Sequence, residues 1–495
     1  MPNNQNENTN ETDQSIVANG VNGATGEYLW PPQTEQQAAE LAAAPPDKEQ
    51  LNILRGVSQQ FGQPHFGAPF DVDLSDPKDA GWAIVLHADE DPAVKAALQP
   101  LIDHRHQRIG NDKIVKVLEY RDGDTISQWL ARYRMGIGDI DPEKIPYYIL
   151  LIGSPAKIPF LFGHLLDAVY GVGRLSFDTA AEYSAYVNSV IAYETAPSIA
   201  NSRDVFFFGP RHIADKPTRL SANALVKPLA GGDPGQLGVL DRLAKSKFQV
   251  LYNGHYLPPE GSTKQALHDV FCPGPGKLTP SLLFTASHGV GWPLGDARQM
   301  SAQGALLCQD FTGFGFGPIK PDHYFAASDL PADARVQGMV CFHFACYGIG
   351  TPSEDRFTHK DGVAPDTIAP APFFSALPKA LLTHRNGSAL AVIGHVERAW
   401  PSSITTTGAG AQLLPFYNSL SFILLGKPLG YALKDFNERY ASLSASLGAL
   451  LEKKLFGLPV SDSELTGMWT SRNDAEAYTL FGDPGVSIRQ DLLAQ

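Results

Sequence analysis

Short, almost uninterrupted apolar runs alternate with helix-like patterns from about residue 80 onward. Eight of these runs are predicted to be buried strands: Trp82–His87, Ile114–Glu119, Tyr147–Gly153, Val205–Gly209, Phe248–Tyr252, Leu282–Ser287, Met339–Ala345 and Ala389–Gly394. Runs of Val, Ile, Leu and Phe without strict alternation are typical of parallel strands covered on both faces. The pattern therefore predicts an α/β protein, either a doubly wound sheet or two stacked α/β units.

Helical periodicity is clearest at Thr179–Tyr193. A capping box opens this stretch, and apolar residues follow at spacings of three and four. Helical patterns also cover Leu413–Leu425 and Leu429–Leu451, and residues 478–488 predict a strand, a turn and a second strand. Two long connections, at 292–330 and 353–372, have no clear pattern, and such loops in compact domains are usually functional or mobile.

The elements divide the chain into four predicted parts. Residues 1–50 are rich in Asn, Gln, Glu, Thr and Ala, which predicts a disordered or loosely attached tail. An N-terminal α/β subdomain is expected at 51–200 and a second, chemistry-bearing α/β subdomain at 201–430. Residues 431–495 are expected to add a C-terminal helix and a closing strand segment around Phe481–Pro484.

Composition excludes several classes of protein. The 495 residues are 43% hydrophobic and carry a net charge of −13, and this charge, with no basic cluster, argues against nucleic-acid binding. The four cysteines are too few for a disulfide framework. No apolar run is long enough to span a membrane, and the first residues lack a basic, apolar leader, so a cytoplasmic protein without membrane partners is expected.

Two predicted strands end in reactive side chains followed by small residues. His288-Gly289 follows one strand, and Cys346, followed by Tyr-Gly, follows another. The carboxyl ends of parallel strands share one edge of the sheet, so a thiol and an imidazole are expected to meet there. Such a pair is the minimum for cysteine-dependent acyl transfer, and the amide of Gly289 could face a developing oxyanion.

Other interpretations of these residues fit the sequence less well. A metal site from Cys341, His343 and Cys346 is not expected, because alternation along a strand puts Cys346 on the opposite face. No other cysteine has the spacing of a metal ligand. The glycine-rich run at 313–317 would suit nucleotide binding only between a strand and a helix, and it lacks that context.

Several ordered motifs resemble the gingipain-like branch of the caspase-fold cysteine peptidases (clan CD), whose relatives include the intracellular CHAT-type proteases. They are Tyr147–Gly153 with Ile158-Pro159, Asp167–Ser176 with Tyr193-Glu194, Thr285–Gly289 with Trp292, Phe344–Gly348, Ala391–Trp400 and Phe481–Pro484. The resemblance covers roughly residues 80–490. It implies a caspase-like three-layer α/β/α sandwich with two stacked α/β subdomains.

The resemblance also implies a function. The chain would be a cysteine endopeptidase with Cys346 as nucleophile, His288 as base, and the amides of Gly289 and Cys346 as oxyanion donors. The segment Gly394–Trp400 would line the specificity pocket and pair with the substrate. The implied partners are a protein or peptide substrate and a regulatory protein. No cofactor would be required, although calcium binding is a property of this branch.

Specificity and regulation stay open. At Gly209–His212, where gingipains place an acid beside the histidine, there is none. The pocket floor aligns ambiguously: Asp215 there predicts cleavage after Arg or Lys, Arg219 predicts cleavage after Asp or Glu, and Glu397 is a further acid near the pocket. The 353–372 loop or the N-terminal tail would control access or be cleaved. The missing acid leaves an inactive caspase-fold scaffold as the alternative, and nucleotide binding as a third.

Overall fold

The structure is a computed structural model that describes residues 15–44, 47–60, 67–233, 235–357, 365–401, 404–406 and 410–494. In these ranges the strands are β1 (Gly20–Asn22), β2 (Trp82–His87), β3 (Val115–Tyr120), β4 (Tyr148–Ile152), β5 (Gly171–Leu175), β6 (Asp204–Phe208), β7 (Asn253–Leu257), β8 (Leu282–Ala286), β9 (Gly289–Gly291), β10 (Ala305–Leu307), β11 (Tyr324–Phe325), β12 (Val340–Phe344), β13 (Gly350–Thr351), β14 (Glu354–Asp355), β15 (Asp366–Thr367), β16 (Phe373–Phe374), β17 (Ala391–His395), β18 (Thr405–Thr406), β19 (Gly410–Ala411) and β20 (Tyr478–Gly482).

The α-helices in the same ranges are α1 (Glu35–Ala42), α2 (Lys48–Gln60), α3 (Pro77–Ala80), α4 (Pro92–Ile109), α5 (Ile126–Arg132), α6 (Phe160–Asp167), α7 (Ala180–Thr195), α8 (Lys216–Leu220), α9 (Lys227–Leu229), α10 (Val239–Lys245), α11 (Lys264–Phe271), α12 (Gln299–Ala302), α13 (Ala376–Leu382), α14 (Leu414–Leu424), α15 (Leu429–Ala432), α16 (Lys434–Leu455) and α17 (Asp462–Ala477). A π-helical turn, Ser221–Val226, joins α8 to α9. No helix in the described part of the chain is both long and apolar enough to cross a membrane.

One ten-stranded sheet runs through both predicted subdomains, in the order β3-β2-β4-β5-β20-β17-β12-β8-β6-β7. Neighbouring strands are parallel except at β17 and β20, which pair antiparallel. Every residue of β2, β4, β8, β12 and β17 is buried, so both faces of the sheet are covered. The chain is therefore a mixed α/β protein around a large, mostly parallel sheet, as the apolar runs predict.

The antiparallel junction sets the direction of the two halves. Strands β2 to β5 form one half and β6, β7, β8, β12 and β17 the other, with β20 between them. Because β17 and β20 run in opposite directions, the carboxyl ends of the two halves lie at opposite edges. The halves thus lie side by side in one sheet, and reactive groups after β8 and β12 are on the carboxyl edge of the second half.

Most of the apolar runs form the predicted strands. Seven of the eight appear with bounds within two residues of those predicted, but Phe248–Tyr252 is wrong, because the strand there is Asn253–Leu257. The capping box at Thr179 is confirmed and starts α7. Of the closing segment, only the first strand, β20, is present among the described residues.

Residues 15–44, which the composition predicts to belong to a disordered or loosely attached tail, pack against the rest of the protein, where β1 joins a separate four-stranded sheet in the order β1-β9-β10-β11. β1 pairs with β9, and α1 packs on α17. Residues 1–14 lie outside the described residues, as do residues 358–364 of the second long loop. The first long loop contains α12, β10 and β11.

Candidate active site

The register of β8 and β12 brings His288 and Cys346 side by side. Ala286 pairs with Phe344 at the last shared position, and each reactive residue lies two positions beyond it. Adjacent strands are about 4.8 Å apart. The two residues therefore leave the sheet together at its carboxyl edge, as the sequence predicts.

Gly289 passes directly over the backbone of Cys346. A Cβ at this glycine would meet the Cys346 carbonyl oxygen at 1.8 Å and its amide nitrogen at 2.9 Å. Only glycine permits this close approach. The approach places the amides of Gly289 and Cys346 next to one another, where they can donate to the same oxygen.

A buried carboxylate holds the imidazole of His288. His288 Nε2 lies 2.8 Å from Asp215 Oδ2, and both side chains are fully buried. Tyr28 Oη donates to the other oxygen, Oδ1, at 2.7 Å. Burial alone would raise the pKa of Asp215, but the charge of His288 and hydrogen bonds from His288, Thr218 and Tyr28 lower it to about 2. The carboxylate is therefore ionised and orients the ring.

The local fold explains how Asp215 reaches the histidine. It is the N-cap of α8, with the Thr218 amide donating to its side chain. Ala214, just before it, has the left-handed φ of 59°, which turns the chain into the helix. The acid thus lies three residues beyond the stretch Gly209–His212, where none was found in the sequence. Both carboxylate oxygens of Asp215 accept hydrogen bonds from the site residues. Arg219, by contrast, is exposed on the outer side of α8.

Asp215 leaves the other nitrogen of the imidazole available. His288 Nδ1 has no hydrogen-bond partner in the described part of the chain. The rings of Tyr28 and Phe314 contact His288 edge-on, with centroids 6.1 Å away in both cases. Phe314 comes from the glycine-rich run 313–317, so this run covers the histidine.

The thiol of Cys346 is buried beside the segment that follows β17. Its Sγ accepts a hydrogen bond from the Ala399 amide at 3.2 Å. Burial is the main reason that its pKa is raised to about 12. Tyr347, the next residue, has a left-handed φ of 56°, a strained conformation that occurs often at functional sites.

Salt bridges fix the segment Gly394–Trp400. Glu397, whose φ is 77°, pairs with Arg356 at 3.2 Å and Arg398 at 3.0 Å, and Arg398 also pairs with Asp355. The Trp400 amide donates to Asp474 Oδ1 at 2.8 Å. Glu397 is therefore engaged by two arginines, and Trp400 packs in an aromatic cluster with Trp30 and Phe357.

A backbone carbonyl from the N-terminal segment fills the space between the two amides. The amides of Gly289 and Cys346 donate to the Asn19 carbonyl oxygen at 3.1 and 3.3 Å. The Asn19 amide in turn donates to the Ala399 carbonyl oxygen at 2.8 Å. The two predicted oxyanion donors thus bind the carbonyl oxygen of Asn19. The predicted pocket segment, Gly394–Trp400, accepts a hydrogen bond from the amide of the same residue.

Asn19, Tyr28 and Phe314 were not predicted from the sequence as site residues. They lie in stretches without periodicity, so no pattern in the sequence assigns any of them to the site. The Tyr28-Leu29-Trp30 cluster of large apolar residues in a polar segment is the one signal that this segment docks.

A metal ion at this edge of the sheet would need side chains that could hold it. In the described ranges, no group of three or more His, Cys, Asp and Glu side chains is placed to hold a metal ion. Calcium binding stays a prediction.

Comparisons with known proteins give a limited result. No family model and no curated protein matches the chain. Two solved structures superpose on it at 13% identity. One is the structure of a protease, with a TM-score of 0.48, covering 84% of this chain and 80% of that one. The other is a complex of the pro- and mature domains of Porphyromonas gingivalis RgpB, with a TM-score of 0.39, covering 83% and 80%. Because both TM-scores are below 0.5, neither likeness adds to the case made by the site geometry.

Proposed function

We propose that the chain is a cysteine endopeptidase that cleaves a protein or peptide through an acyl-enzyme intermediate. One observation carries the proposal: the amides of Gly289 and Cys346 converge on a single peptide carbonyl, beside a thiol and a carboxylate-held imidazole. Two amide donors aimed at one carbonyl oxygen are the arrangement that stabilises a tetrahedral intermediate.

Each group has a role in this scheme. The sulphur of Cys346 attacks the carbonyl carbon, and the two amides take up the negative charge that develops on oxygen. His288 carries the proton on Nδ1 to the leaving amine. Asp215 acts as a positioning residue, because it fixes the ring through Nε2 and stabilises the charged imidazolium.

The thiol must lose its proton to react. With residues 15–22 over the cleft, burial holds the pKa of Cys346 at about 12. When this segment leaves, water reaches the sulphur, and the pKa is expected to fall. With the cleft covered only a small fraction of the thiol is ionised, so the site should react slowly, and loss of the segment should make it react faster.

The test compares Cys346→Ala with Cys272→Ala. Cys272 is the more accessible free thiol and lies outside the site, which makes it the matched control. Cys346→Ala should abolish cleavage of a peptide library and labelling by an acyloxymethylketone probe, while Cys272→Ala should keep both. Cleavage that persists in Cys346→Ala would refute the assignment.

A specific observation favours a second candidate, an inactive scaffold that binds partner proteins. Cys346 has no exposed surface, and the cleft is already filled by the chain itself. In that case the wild type would cleave no peptide and take up no probe, yet would bind a partner stably. A regulatory protein, calcium and a cytoplasmic location stay predictions under both candidates.

A further inference from the structure

Residues 15–22 cross the cleft in the way that a substrate would. Asn19 pairs with the pocket segment through its amide and with both oxyanion donors through its carbonyl. From Gly20 onward, β1 continues as a parallel strand on β9, with Gly20 opposite Gly289. The Asn19–Gly20 peptide bond is therefore the bond presented to the thiol.

The side chain of Asn19 is enclosed by acceptors. It has no exposed surface, and its Nδ2 donates to the carbonyl oxygen of Ser287 at 2.6 Å and lies 3.5 Å from that of Phe344. These two carbonyls belong to the residues just before His288 and just before Ala345-Cys346. An aspartate here would place a negative oxygen against two carbonyl oxygens. An alanine would remove the donor to the Ser287 carbonyl oxygen, whereas the Phe344 carbonyl oxygen would keep its hydrogen bond from the Ser287 amide at 3.1 Å. The pocket thus suits a short side chain that donates, such as a carboxamide.

Gly20 lies against the sulphur. A Cβ at Gly20 would be 3.0 Å from Cys346 Sγ and 2.5 Å from Leu29 Cδ1. Only glycine therefore fits at the position that follows Asn19, on the amine side of the peptide bond. Its small size lets the sulphur and the peptide come into contact.

A hairpin keeps the segment in place. Val21 is fully buried, and the Leu29 amide donates to the Gly20 carbonyl oxygen at 3.0 Å. Tyr28 binds Asp215, and Trp30 packs edge-on against Trp400 at 5.3 Å. These contacts tie both ends of the hairpin to the residues that form the site.

We propose that residues 15–22 are a substrate tethered to their own active site, that the chain cuts the Asn19–Gly20 bond in cis, and that the pocket selects asparagine before the cleaved bond. This rests on the proposed peptidase function and extends it to a substrate class and an activating event. A pocket selective for a carboxamide replaces the alternatives built on Asp215, Arg219 and Glu397, whose charged groups are engaged elsewhere or exposed.

The reaction balances without a further reactant except water. A bond forms between Cys346 Sγ and the Asn19 carbonyl carbon, and the bond from that carbon to the Gly20 nitrogen breaks. The thiol proton passes through His288 to this nitrogen, which leaves as a free α-amine. Water then adds to the thioester, which frees the Asn19 carboxylate and returns a proton to the sulphur.

The chain contains its own control. Asn22–Gly23 is the same dipeptide three residues further on, but the Asn22 side chain accepts from the Ala24 amide in the hairpin turn instead of entering the pocket. Spontaneous breakage at Asn-Gly would affect both dipeptides and would not need the thiol. Cleavage by the site should affect the first alone.

The experiment follows the intact full-length chain by mass spectrometry and N-terminal sequencing. The wild type should gain a new α-amine at Gly20 and none at Gly23, and Cys346→Ala and Cys346→Ser should stay intact. Asn19→Asp and Asn19→Ala should be cut at least about tenfold more slowly. Equal cutting of Asn19→Ala, or cutting of the folded Cys346→Ala, overturns the proposal.

A second assay separates this inference from the peptidase function itself. Fluorogenic peptides ending in Ile-Val-Ala-Asn, the sequence of residues 16–19, are compared with those ending in Asp, Ala or Arg. Asparagine should be preferred at least about tenfold. Cleavage after another residue, with Asn19–Gly20 intact in the wild type, overturns only the inference. No cleavage of any peptide or of the chain overturns both.

Discussion

At the residue scale, the group that decides how the histidine works is Asp215. It accepts from His288, from Tyr28 and from the amide of Thr218; the first and last of these contacts are buried and the one with Tyr28 is partly buried. An acceptor fixed in this way selects the ring form with the proton on Nε2, which leaves Nδ1 to exchange protons with the substrate.

Asp215→Asn should lower kcat by roughly 10²- to 10⁴-fold with a much smaller change in KM, because the amide can no longer stabilise the charged imidazolium. The measurement is peptide hydrolysis by protein from which the segment up to Asn19 has been removed, and it gives both kcat and KM. Asp76→Asn is the matched control, since Asp76 caps α3 far from the site in the same manner. Equal loss of activity in both variants, or a change confined to KM, would contradict this role.

The reactive residues were predictable from the sequence, but their partners were not. His288, Gly289 and Cys346 each follow an apolar run, so strand periodicity alone placed them at one edge. Asp215 follows a non-repeating turn with a left-handed residue before it, and Asn19 lies in a polar segment. Nothing local to such residues shows which distant atoms they will meet.

At the scale of elements, the hairpin of residues 15–30 is held over the site by one polar contact in particular. The hydroxyl of Tyr28 donates to the ionised Asp215 at 2.7 Å, and its ring contacts both Phe314 and His288. A hydrogen bond to a charged group is worth about 1.5–3 kcal/mol.

Tyr28→Phe keeps the ring and removes this bond. The hairpin should open more often, and thiol-directed labelling of Cys346 should become roughly tenfold faster. Labelling rates by mass spectrometry on intact chain measure this. Tyr133→Phe serves as the control, because its hydroxyl binds Glu119 in the other half of the sheet. An unchanged rate in Tyr28→Phe would show that the hydroxyl does not hold the hairpin.

Strands and helices that bury apolar residues were predicted well, and those that expose them or bury polar residues were predicted poorly. The wrong strand at Phe248–Tyr252 rested on apolar residues that are exposed: Phe248 is 52% and Leu251 67% accessible. The real strand, β7, is a half-exposed edge of the sheet and reads as polar. Helix α17 was not predicted because it buries Asn473, Asp474 and Glu476 in place of an apolar stripe.

At the scale of the whole molecule, one charged cluster joins the last strand to the first half of the sheet. Arg105 of α4 contacts Asp483, just after β20, at 2.8 Å, and Glu194 of α7 at 2.7 Å. Trp82 Nε1 also donates to Asp483 at 3.0 Å. The predicted closing motif Phe481–Pro484 therefore attaches the last strand to the first half of the sheet.

This cluster makes stability depend on acid. Burial raises the pKa of Glu194, but Arg105, His104 and Arg108 lower it from its ordinary 4.5 to about 2. A carboxylate whose pKa is lower when folded stabilises the protein above the unfolded pKa and loses that effect as pH falls toward the folded one. The free energy of unfolding should thus drop between about pH 4.5 and pH 2.

Glu194→Gln should be less stable than wild type by about 3 kcal/mol at pH 7, because Arg105 and Arg108 lose a buried partner. That difference should shrink as pH approaches 2. Urea unfolding across this range measures it. Glu452→Gln removes the exposed partner of Arg55 and should change stability by less than about 1 kcal/mol. If Glu194→Gln lowers the free energy of unfolding by the same amount at every pH, the acid dependence does not come from this cluster.

The position of β20 also has a consequence for synthesis on the ribosome. In the sheet, β20 (Tyr478–Gly482) lies between β5 and β17. Because more than 80 residues separate β17 from β20 in the sequence, β5 and β17 each have an unpaired edge until those residues are synthesised. A nascent chain halted anywhere in that interval lacks the contacts of Asp483 with Arg105 and Trp82 and has two separate half-sheets. Stalled copies would thus be prone to pair with one another through the unpaired edges of β5 and β17.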